Sequence, residues 1–393
     1  MSHPGSINVG TRASQLARWQ TDHVISELQS AWPGLEFSVR TFSTTGDRIL
    51  DRPLPAIGGK GLFTEALEDA LRSGEIDIAV HSLKDLPVAD PPDLTIGAVL
   101  SRADVRDVLI SAGGFTLQTL PQGAVVGTSS LRRQAQLLAA RPDLDVRSIR
   151  GNVETRIRKV LDGEYDAAVL AAAGVERLGL DEHEGHLLSL TAMLPAPGQG
   201  ALAVQCRADD EEILAALAAI NDVSVRAAVT AERSFLLALG GGCAVPVAAY
   251  ARPENGGWHL QGLVADPGGA PLVQVAGSGS DPLALGETLA GQAELAGAGH
   301  ILDRVKPLRG KRIVITRSAE QAGLFAERLA ALGADPILFP VITFKPLDPQ
   351  LLRRHLREID AYSWIIFTSA NAVRFFFEVY DNLDEAPPLP NIA

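Results

Sequence analysis

The chain of 393 residues is too long for one ordinary hydrophobic core and predicts three or four compact units of about a hundred residues each. Its 46% hydrophobic and 21% charged residues are typical of a globular protein, and no apolar stretch is long enough to span a bilayer. The net charge of −12 argues against nucleic-acid binding, which needs a basic surface. We therefore expect a soluble, multidomain protein with neither membrane nor nucleic acid among its partners.

The N-terminus and the cysteines indicate the cellular location and the kinds of site to expect. Residues 1–5 have no basic start followed by an apolar run, so no secretory signal is visible and the cytoplasm is the expected location. Cys206 and Cys243 are the only cysteines, and neither belongs to a Cys-x-x-Cys motif or a Cys/His cluster. We therefore expect no metal site and no disulfide framework.

The first hundred residues alternate strand-length apolar runs with amphipathic stretches, which predicts α/β structure. Two segments echo each other, because residues 74–80 and residues 163–169 both read as a Gly-Glu-x-Asp turn followed by a buried strand. Any α/β unit can produce such turns, but the echo favours two similar lobes. The chain would cross between them in residues 97–110, and ligands commonly bind in the crevice between such lobes.

The sequence pattern changes after Gln205, where helices and three short strands separated by Pro/Gly turns predict a smaller α+β domain. A linker at residues 306–310 precedes a new strand–helix–strand pattern that fills only about half of an ordinary two-lobed α/β domain. The predicted domains are residues 1–100 with 196–217, residues 101–195, residues 218–305, and a partial α/β domain at residues 311–393.

Arginines recur where predicted strands run into helices. Free backbone N–H groups and the positive end of the dipole favour an anion at a helix start, whereas cations placed there oppose the dipole. One such arginine is usually a solvated surface residue, but several at corresponding strand ends favour a ligand with several carboxylates. These arginines are Arg12, Arg132, Arg133, Arg150, Arg156 and Arg177.

Three further segments could take part in chemistry. Residues 81–87 place Lys84 and Asp85 after a strand, either to bind acid groups and stabilise a cationic intermediate or as an ordinary ion pair. The glycine-rich residues 57–63 lack the full phosphate-loop pattern and read as a mobile lid or a plain flexible loop. Cys243 follows three glycines on a pliable loop, although most cysteines are buried and inert, as we expect of Cys206.

Together these segments resemble the porphobilinogen deaminase family from about residue 7 to the low 300s. The likeness lies in residues 12–14, 47–63, 81–87, 127–137, 150–156 and 232–246, where Glu232-Arg233-Ser234-Phe235-Leu236 and Gly241-Gly242-Cys243 resemble the cofactor-attachment signature. One departure is Ala248, where the family pattern leads us to expect glycine. The resemblance implies two lobes like those of periplasmic binding proteins, a third domain that presents the cysteine, and a monomer.

The resemblance also implies the chemistry. A dipyrromethane cofactor joined to Cys243 would prime the head-to-tail condensation of porphobilinogen, with loss of ammonia, to hydroxymethylbilane. Asp85 would stabilise positive charge as ammonia leaves and the azafulvene electrophile forms, with Lys84 beside it. The implied cofactor-binding residues are Cys243, Ser82, Lys84, Asp85, Thr128, Ser129, Arg132 and Arg133. The implied substrate-binding residues are Arg12, Ser14, Arg150, Gly151, Asn152, Arg156, Arg177 and Gln199. The implied lid residues are Gly58, Gly59, Lys60 and Phe63.

The tail resembles the opening of the uroporphyrinogen-III synthase family in residues 313–317 and 367–373. We expect hand-over to that next enzyme, no competent synthase in this chain, and a truncated fusion as its parent. A rival hypothesis is a non-enzymatic two-lobed protein that binds or senses polycarboxylates. That hypothesis leaves the Gly-rich Cys243 loop unexplained, and a covalent increment of two pyrrole units on Cys243 would discriminate against it.

Overall fold

A computed structural model describes residues 5–44, 64–89, 91–180, 185–241, 245–345, 348–383 and 385–392. The chain divides into two compact units, one of residues 1–311 with 327–335 and one of residues 312–326 with 336–393. Within the described residues no single helix is long and apolar enough to cross a membrane, and one pair passes that test only with a bend of 110°.

The first lobe is a five-stranded sheet in the order β2-β1-β3-β10-β4. Strand β1 pairs in parallel with β2 and β3, whereas β10 runs antiparallel to β3 and β4. Its core is apolar, with Ile7, Val9 and Val204 fully buried, as expected for strands covered by helices. The strands are β1 (Ser6–Arg12), β2 (Glu36–Phe42), β3 (Ile78–Ser82), β4 (Leu94–Val99) and β10 (Leu202–Arg207), and the helices are α1 (Gln15–Ala31) and α2 (Glu65–Arg72).

The second lobe is a five-stranded sheet in the order β7-β6-β8-β5-β9. Its strand β6 pairs in parallel with β7 and β8, and β5 runs antiparallel to β8 and β9. The two sheets therefore have the same arrangement of strands. The strands are β5 (Asp107–Ser111), β6 (Val125–Gly127), β7 (Asp145–Arg147), β8 (Ala167–Ala171) and β9 (Gly185–Leu187), and the helices are α3 (Leu131–Ala140), α4 (Val153–Leu161) and α5 (Ala172–Arg177).

The echo seen in the sequence corresponds to one hydrogen-bonding device used in both lobes. The Asp77 carboxylate accepts the backbone N–H of Asn8 at 2.8 Å, and the Asp166 carboxylate accepts the backbone N–H of Val125 at 2.6 Å. Each aspartate thus ties the strand that follows its turn to the neighbouring parallel strand. A backbone N–H is a strong hydrogen-bond donor, and each aspartate supplies its acceptor, so the Gly-Glu-x-Asp turns have a structural reason to be alike.

The third sheet is antiparallel, in the order β11-β12-β13, and packs against helices. Phe235 is fully buried against it, and a Cβ on Gly262 would lie 2.5 Å from the Phe235 ring, so this position favours glycine. Gly286 likewise lets two helices approach closely, because a Cβ there would lie 2.5 Å from the Ala231 carbonyl oxygen. The strands are β11 (Val247–Glu254), β12 (Gly257–Ala265) and β13 (Leu272–Gly279), and the helices packed on them are α7 (Val223–Ala238), α8 (Pro282–Leu295) and α9 (Ala298–Val305). The preceding helix α6 (Glu211–Ala218) packs against β4 and β10 of the first lobe instead.

The remaining elements follow Lys311 in the predicted strand–helix–strand order. The predicted strand at residues 336–344 is shorter than expected and ends at Leu338, because Pro340 has no N–H to donate to a ladder. A small core forms around Leu356, Ile359 and Phe376. The strands are β14 (Arg312–Ile315), β15 (Asp335–Leu338), β16 (Trp364–Ile365) and β17 (Asn391–Ile392), and the helices are α10 (Ala319–Ala331), α11 (Pro349–Leu356) and α12 (Ala370–Tyr380).

Candidate functional site

The candidate site starts where β3 ends and turns into a short 3-10 helix, Leu83–Asp85. Leu83 anchors this turn in the core, whereas Lys84 is half-buried and Asp85 is exposed. The Lys84 ammonium donates a hydrogen bond to Gln199 Oε1 at 3.3 Å. Lys84 and Asp85 therefore follow a strand directly, as the sequence predicts.

Burial, with a smaller effect of the nearby Arg133 and Arg132 charges, lowers the pKa of Lys84 to about 8. The carboxylates of Asp85 and Asp107 oppose this shift. A nearby positive charge disfavours the protonated form of Lys84, and a nearby negative charge favours it. Because both arginines and both aspartates act on Lys84, these five side chains lie close to one another. The structure thus brings Lys84, Asp85 and the arginine pair together.

The arginine pair lies in the first turn of α3, which follows β6. Both guanidinium groups are buried, with Arg132 only 3% exposed, and both contact the Asp107 carboxylate of β5. Arg132 Nη1 donates to Asp107 Oδ2 at 2.7 Å and to the Leu194 carbonyl at 2.8 Å. Arg133 Nη2 donates to Asp107 Oδ1 at 2.7 Å, and its Nη1 donates to the Val169 carbonyl at 2.9 Å.

Asp107 corrects one step of the sequence analysis, which interpreted the cations at this helix start as evidence for a bound anionic ligand. A protein carboxylate supplies that negative charge, and the two arginines hold the pKa of Asp107 well below its usual range against the opposing effect of burial. The sequence reasoning missed this residue. The available signal was an acid at the first position of an apolar strand, Asp107-Val108-Leu109-Ile110, which is costly to bury without cationic partners.

Arg150 and Arg156 belong to the same cluster. Burial, with a smaller effect of the Arg133 and Arg150 charges, lowers the pKa of Arg156 to about 10, and Asp85 opposes that shift. Arg156 Nε also donates to the Gly151 carbonyl at 2.8 Å. Gly151 has a φ of +113°, and a Cβ there would lie 2.6 Å from the Thr155 side chain, so the loop requires glycine. Asn152 is exposed beside this loop.

The β1 end carries Arg12 and Ser14. Ser14 caps α1, because its Oγ accepts the Ala17 N–H at 3.3 Å. Arg12 is half-buried near His81, and its charge adds to burial, the larger cause, in lowering the pKa of that imidazole to about 4. His81 is therefore neutral beside a fixed positive charge.

Arg177 joins the two lobes rather than pointing only to the cleft. Its Nη2 donates to the Gly200 carbonyl at 2.8 Å, and its guanidinium lies 5.6 Å from the Trp19 ring centroid on α1. Gln199, the residue before Gly200, is fully buried and donates from Nε2 to Asp107 Oδ1 at 2.9 Å. Gln199 thus links the Asp107 carboxylate to the Lys84 ammonium.

The predicted hydroxyl residues already have partners within the protein. Ser82 Oγ accepts from Gln20 Nε2 at 2.8 Å. Ser129 Oγ donates to the Ile149 carbonyl at 2.6 Å, and Thr128 Oγ1 accepts the backbone N–H of Ser130 at 3.2 Å. In this structure these three side chains stabilise the loops that carry the charged residues.

A cavity adjoins the cluster. Its walls include Lys84 and Arg132 as well as Arg233, and they are completed by apolar side chains from the third domain, among them Leu236 and Val245. These last two residues lie on either side of residues 242–244. Cys243 itself lies outside the described residues, as do the predicted lid residues Gly58, Gly59, Lys60 and Phe63.

A second buried ion pair, also missed from the sequence, fixes the third domain against the segments that connect the lobes. Glu232 of α7 is fully buried and accepts two hydrogen bonds from Arg102, at 2.7 and 2.9 Å. Its oxygens also accept the backbone N–H groups of Gly198 at 2.7 Å and Ala251 at 2.8 Å. The helix that leads to the Cys243 loop is therefore held by four hydrogen bonds to one carboxylate.

Family profiles match most of the chain. The profile described as porphobilinogen deaminase, dipyromethane cofactor binding domain, matches residues 7–215, and the C-terminal domain profile of the same family matches residues 226–294. A third profile, uroporphyrinogen-III synthase HemD, matches residues 324–392.

Curated relatives agree with these profiles. The porphobilinogen deaminase of Brevibacillus brevis is 50% identical over 302 residues, which cover 77% of this chain and 98% of that protein. The porphobilinogen deaminase of Roseiflexus castenholzii is 51% identical over 300 residues, which cover 74% and 99%.

Two solved structures are similar to part of the chain. The periplasmic VFT2 domain of Bordetella pertussis BvgS has a TM-score of 0.36 at 16% identity and covers 56% of this chain and 89% of its own. A probable amino-acid ABC transporter extracellular-binding protein, ytmK from Bacillus subtilis, has a TM-score of 0.35 at 10% identity and covers 55% and 90%. Similarity at this level adds nothing to the fold described above.

Proposed function

Because this chain belongs to the porphobilinogen deaminase family, we propose that Cys243 carries its dipyrromethane primer and that the cluster around Asp107 binds the acid groups of the growing chain. The enzyme joins porphobilinogen units head to tail. Each addition breaks the aminomethyl C–N bond of one porphobilinogen, releases ammonia, and forms one carbon–carbon bond to the free α-carbon of the bound chain, which loses a proton. After four additions, hydrolysis of the carbon–carbon bond to the primer releases hydroxymethylbilane, with the water supplying the hydroxyl group of the product and a proton to the primer.

The described residues fit a polycarboxylate. Lys84, Arg132, Arg133, Arg150 and Arg156 form a cationic cluster whose nearby carboxylates are Asp85 and Asp107. The excess of cations disfavours the empty state and favours anionic ligands. Apolar walls next to these charges suit the flat pyrrole rings that carry the acid groups.

The observation that carries the assignment of the binding cluster is the environment of Arg132. Its side chain is 3% exposed and lines the cavity, yet its Nε has no acceptor within the described part of the chain. A buried guanidinium N–H without an acceptor is costly, and a carboxylate in the cavity would remove that cost. Leu236 and Val245, which flank the Cys243 loop, line the same cavity.

We assign separate tasks to the residues around the cavity. When bound, dipyrromethane supplies the free α-carbon that is extended. Lys84 and the arginines hold acid groups, and their charges orient the incoming unit. Asp85 is exposed beside Lys84, so its carboxylate can approach pyrrole N–H groups and stabilise positive charge as ammonia leaves. Arg12, with Ser14 at the start of α1, would bind further acid groups.

The remaining assignments extend this proposal. The lid role of Gly58, Gly59, Lys60 and Phe63, the monomeric state and the cytoplasmic location stay predictions. The match of residues 324–392 to the HemD profile supports a hand-over of hydroxymethylbilane to uroporphyrinogen-III synthase. The expected lack of synthase activity in this chain also stays a prediction.

Intact-protein mass spectrometry combined with an Asp85→Asn variant tests the proposal. We expect the purified wild-type chain to carry a covalent increment of two pyrrole units on Cys243. Asp85→Asn should keep the fold but lose turnover, because Asp85 serves a charge that is absent from the resting protein. Asp93→Asn, which removes another exposed carboxylate of the first lobe, is the matched control and should remain active. An unmodified thiol in the wild type, or near-normal turnover in Asp85→Asn, would refute the respective assignment.

A further inference from the structure

Asp107 has no part in the roles assigned so far, although its carboxylate touches three of the site residues. It is fully buried at the first position of β5, and its backbone carbonyl accepts the Leu188 N–H at 2.8 Å. The sheet therefore fixes where the carboxylate lies. A side chain that is hydrogen-bonded to the Asp107 carboxylate is therefore also held in a defined place.

The two arginines use different edges to bind this carboxylate. Arg133 turns its Nε and Nη2 toward Asp107 Oδ1, at 3.2 and 2.7 Å, and its Nη1 is held by the Val169 carbonyl. The side edge of Arg133, formed by Nε and Nη2, is thus directed at the protein's own carboxylate.

Arg132 is held the other way round. Its hydrogen bonds to Asp107 and Leu194 both start from Nη1. The Nε of Arg132, on the other edge, has no hydrogen-bond acceptor within the described residues. The Arg132 side chain also lines the cavity. A guanidinium binds a carboxylate best through two parallel N–H groups, and the Nε edge of Arg132 offers that arrangement.

Gln199 extends the same control to Lys84. Its amide N–H₂ donates to Asp107 Oδ1 at 2.9 Å and to the Val105 carbonyl at 2.8 Å, so the amide orientation is determined. Its Oε1 consequently faces Lys84 Nζ, at 3.3 Å. One buried carboxylate therefore orients both an arginine edge and, through Gln199, an ammonium group.

We propose that Asp107 is a positioning residue, which holds Arg132 and, through Gln199, Lys84 in the geometry that receives carboxylates of the pyrrole chain. This inference rests on the proposed function. Asp107 touches no substrate atom in this role, and it acts by fixing the groups that do. Substitution of Asp107 should therefore slow cofactor loading and weaken substrate binding by more than the accompanying loss of stability explains.

The test measures how fast the purified full-length chain, made in cells that lack porphobilinogen, gains the two-pyrrole mass increment after porphobilinogen is added. We expect Asp107→Asn to load about a hundredfold more slowly, the usual consequence of misplacing a positioning group by about 1 Å. Asp107→Glu keeps the charge and should recover part of the rate. Thermal midpoints are measured on the same samples.

Leu120→Ala is the matched control. Leu120 is 3% exposed in the core of the second lobe, and its truncation destabilises that lobe without removing a contact of Arg132 or Arg133. Slower loading of the Asp107 variants than of Leu120→Ala at an equal or higher thermal midpoint supports positioning. Loading that simply follows thermal midpoint, or that matches the wild type, overturns it.

Two further outcomes also have a defined meaning. If Asp107→Asn does not fold, the comparison of Asp107→Glu with Leu120→Ala decides by the same criterion. If the wild-type chain itself gains no increment, the proposed function fails rather than the role of Asp107. In loaded protein, the KM for porphobilinogen should rise in Asp107→Glu more than kcat falls, a split that a purely structural role would not produce.

Discussion

The buried pair of Arg102 and Glu232 predicts a strong energetic coupling between the third domain and the segments that connect the lobes. Both side chains are largely withdrawn from water, with 10% and 0% of their surface exposed. Removing one partner leaves the other as an uncompensated buried charge, which costs about 3–5 kcal/mol of the free energy of unfolding. We therefore expect Glu232→Gln and Arg102→Met each to lose about that amount.

The double variant separates the pair from its surroundings. Arg102→Met/Glu232→Gln removes both charges of the pair, and the glutamine oxygen can still accept one of the N–H groups of Gly198 and Ala251. Its loss should therefore be smaller than the sum of the single losses by about 1–3 kcal/mol, the coupling energy of groups in direct contact.

Urea denaturation followed by far-ultraviolet circular dichroism provides these free energies. Glu75→Gln is the matched control, because it removes a carboxylate from an exposed pair with Arg40 and should cost about 0–1 kcal/mol. Losses that add in the double variant to within about 0.5 kcal/mol would contradict the coupling. A loss in Glu232→Gln no larger than in Glu75→Gln would contradict the cost of the uncompensated charge.

Three further predictions concern titration, thiol reactivity and the repeated turns. Because the pKa of Lys84 is lowered to about 8, its ammonium is present below that pH and is lost above it. In steady-state kinetics the KM for porphobilinogen should therefore rise between about pH 7 and 9 in the wild type, and it should rise less in Lys84→Arg. Cys206 is fully buried, which raises the pKa of its thiol to about 11, so iodoacetamide at about pH 8 should leave it unmodified in native protein by peptide mass spectrometry. Asp166→Ala should cost about 0.5–1.5 kcal/mol in urea denaturation, because the Val125 N–H, which is accessible to solvent, exchanges its carboxylate acceptor for water. Alkylation of native Cys206, a pH-independent KM, or an unchanged unfolding free energy would count against the respective prediction.

The sequence determined most of the local structure and the family. Apolar runs, amphipathic helices and Gly/Asp turns predict the strands of both lobes because these depend on neighbours a few residues apart. The Gly-Glu-x-Asp echo indicated two similar lobes, and the two sheets have the same strand arrangement. The order of the weak motifs along the chain identified the family, which the family profiles and the relatives confirm.

Only the tertiary structure decided which charges meet. Asp107 lies 25 residues before Arg132 and 92 residues before Gln199, and Glu232 lies 130 residues after Arg102, so no local pattern pairs them. The sequence indicated cations at a helix start but not that a protein carboxylate already faces them. Burial and Coulomb interactions depend on distance in space, and the cost of burying a charge is known only when its partners are placed. The fold therefore decided which guanidinium N–H groups bind acceptors of the protein and which one, on Arg132 Nε, has none among the described residues.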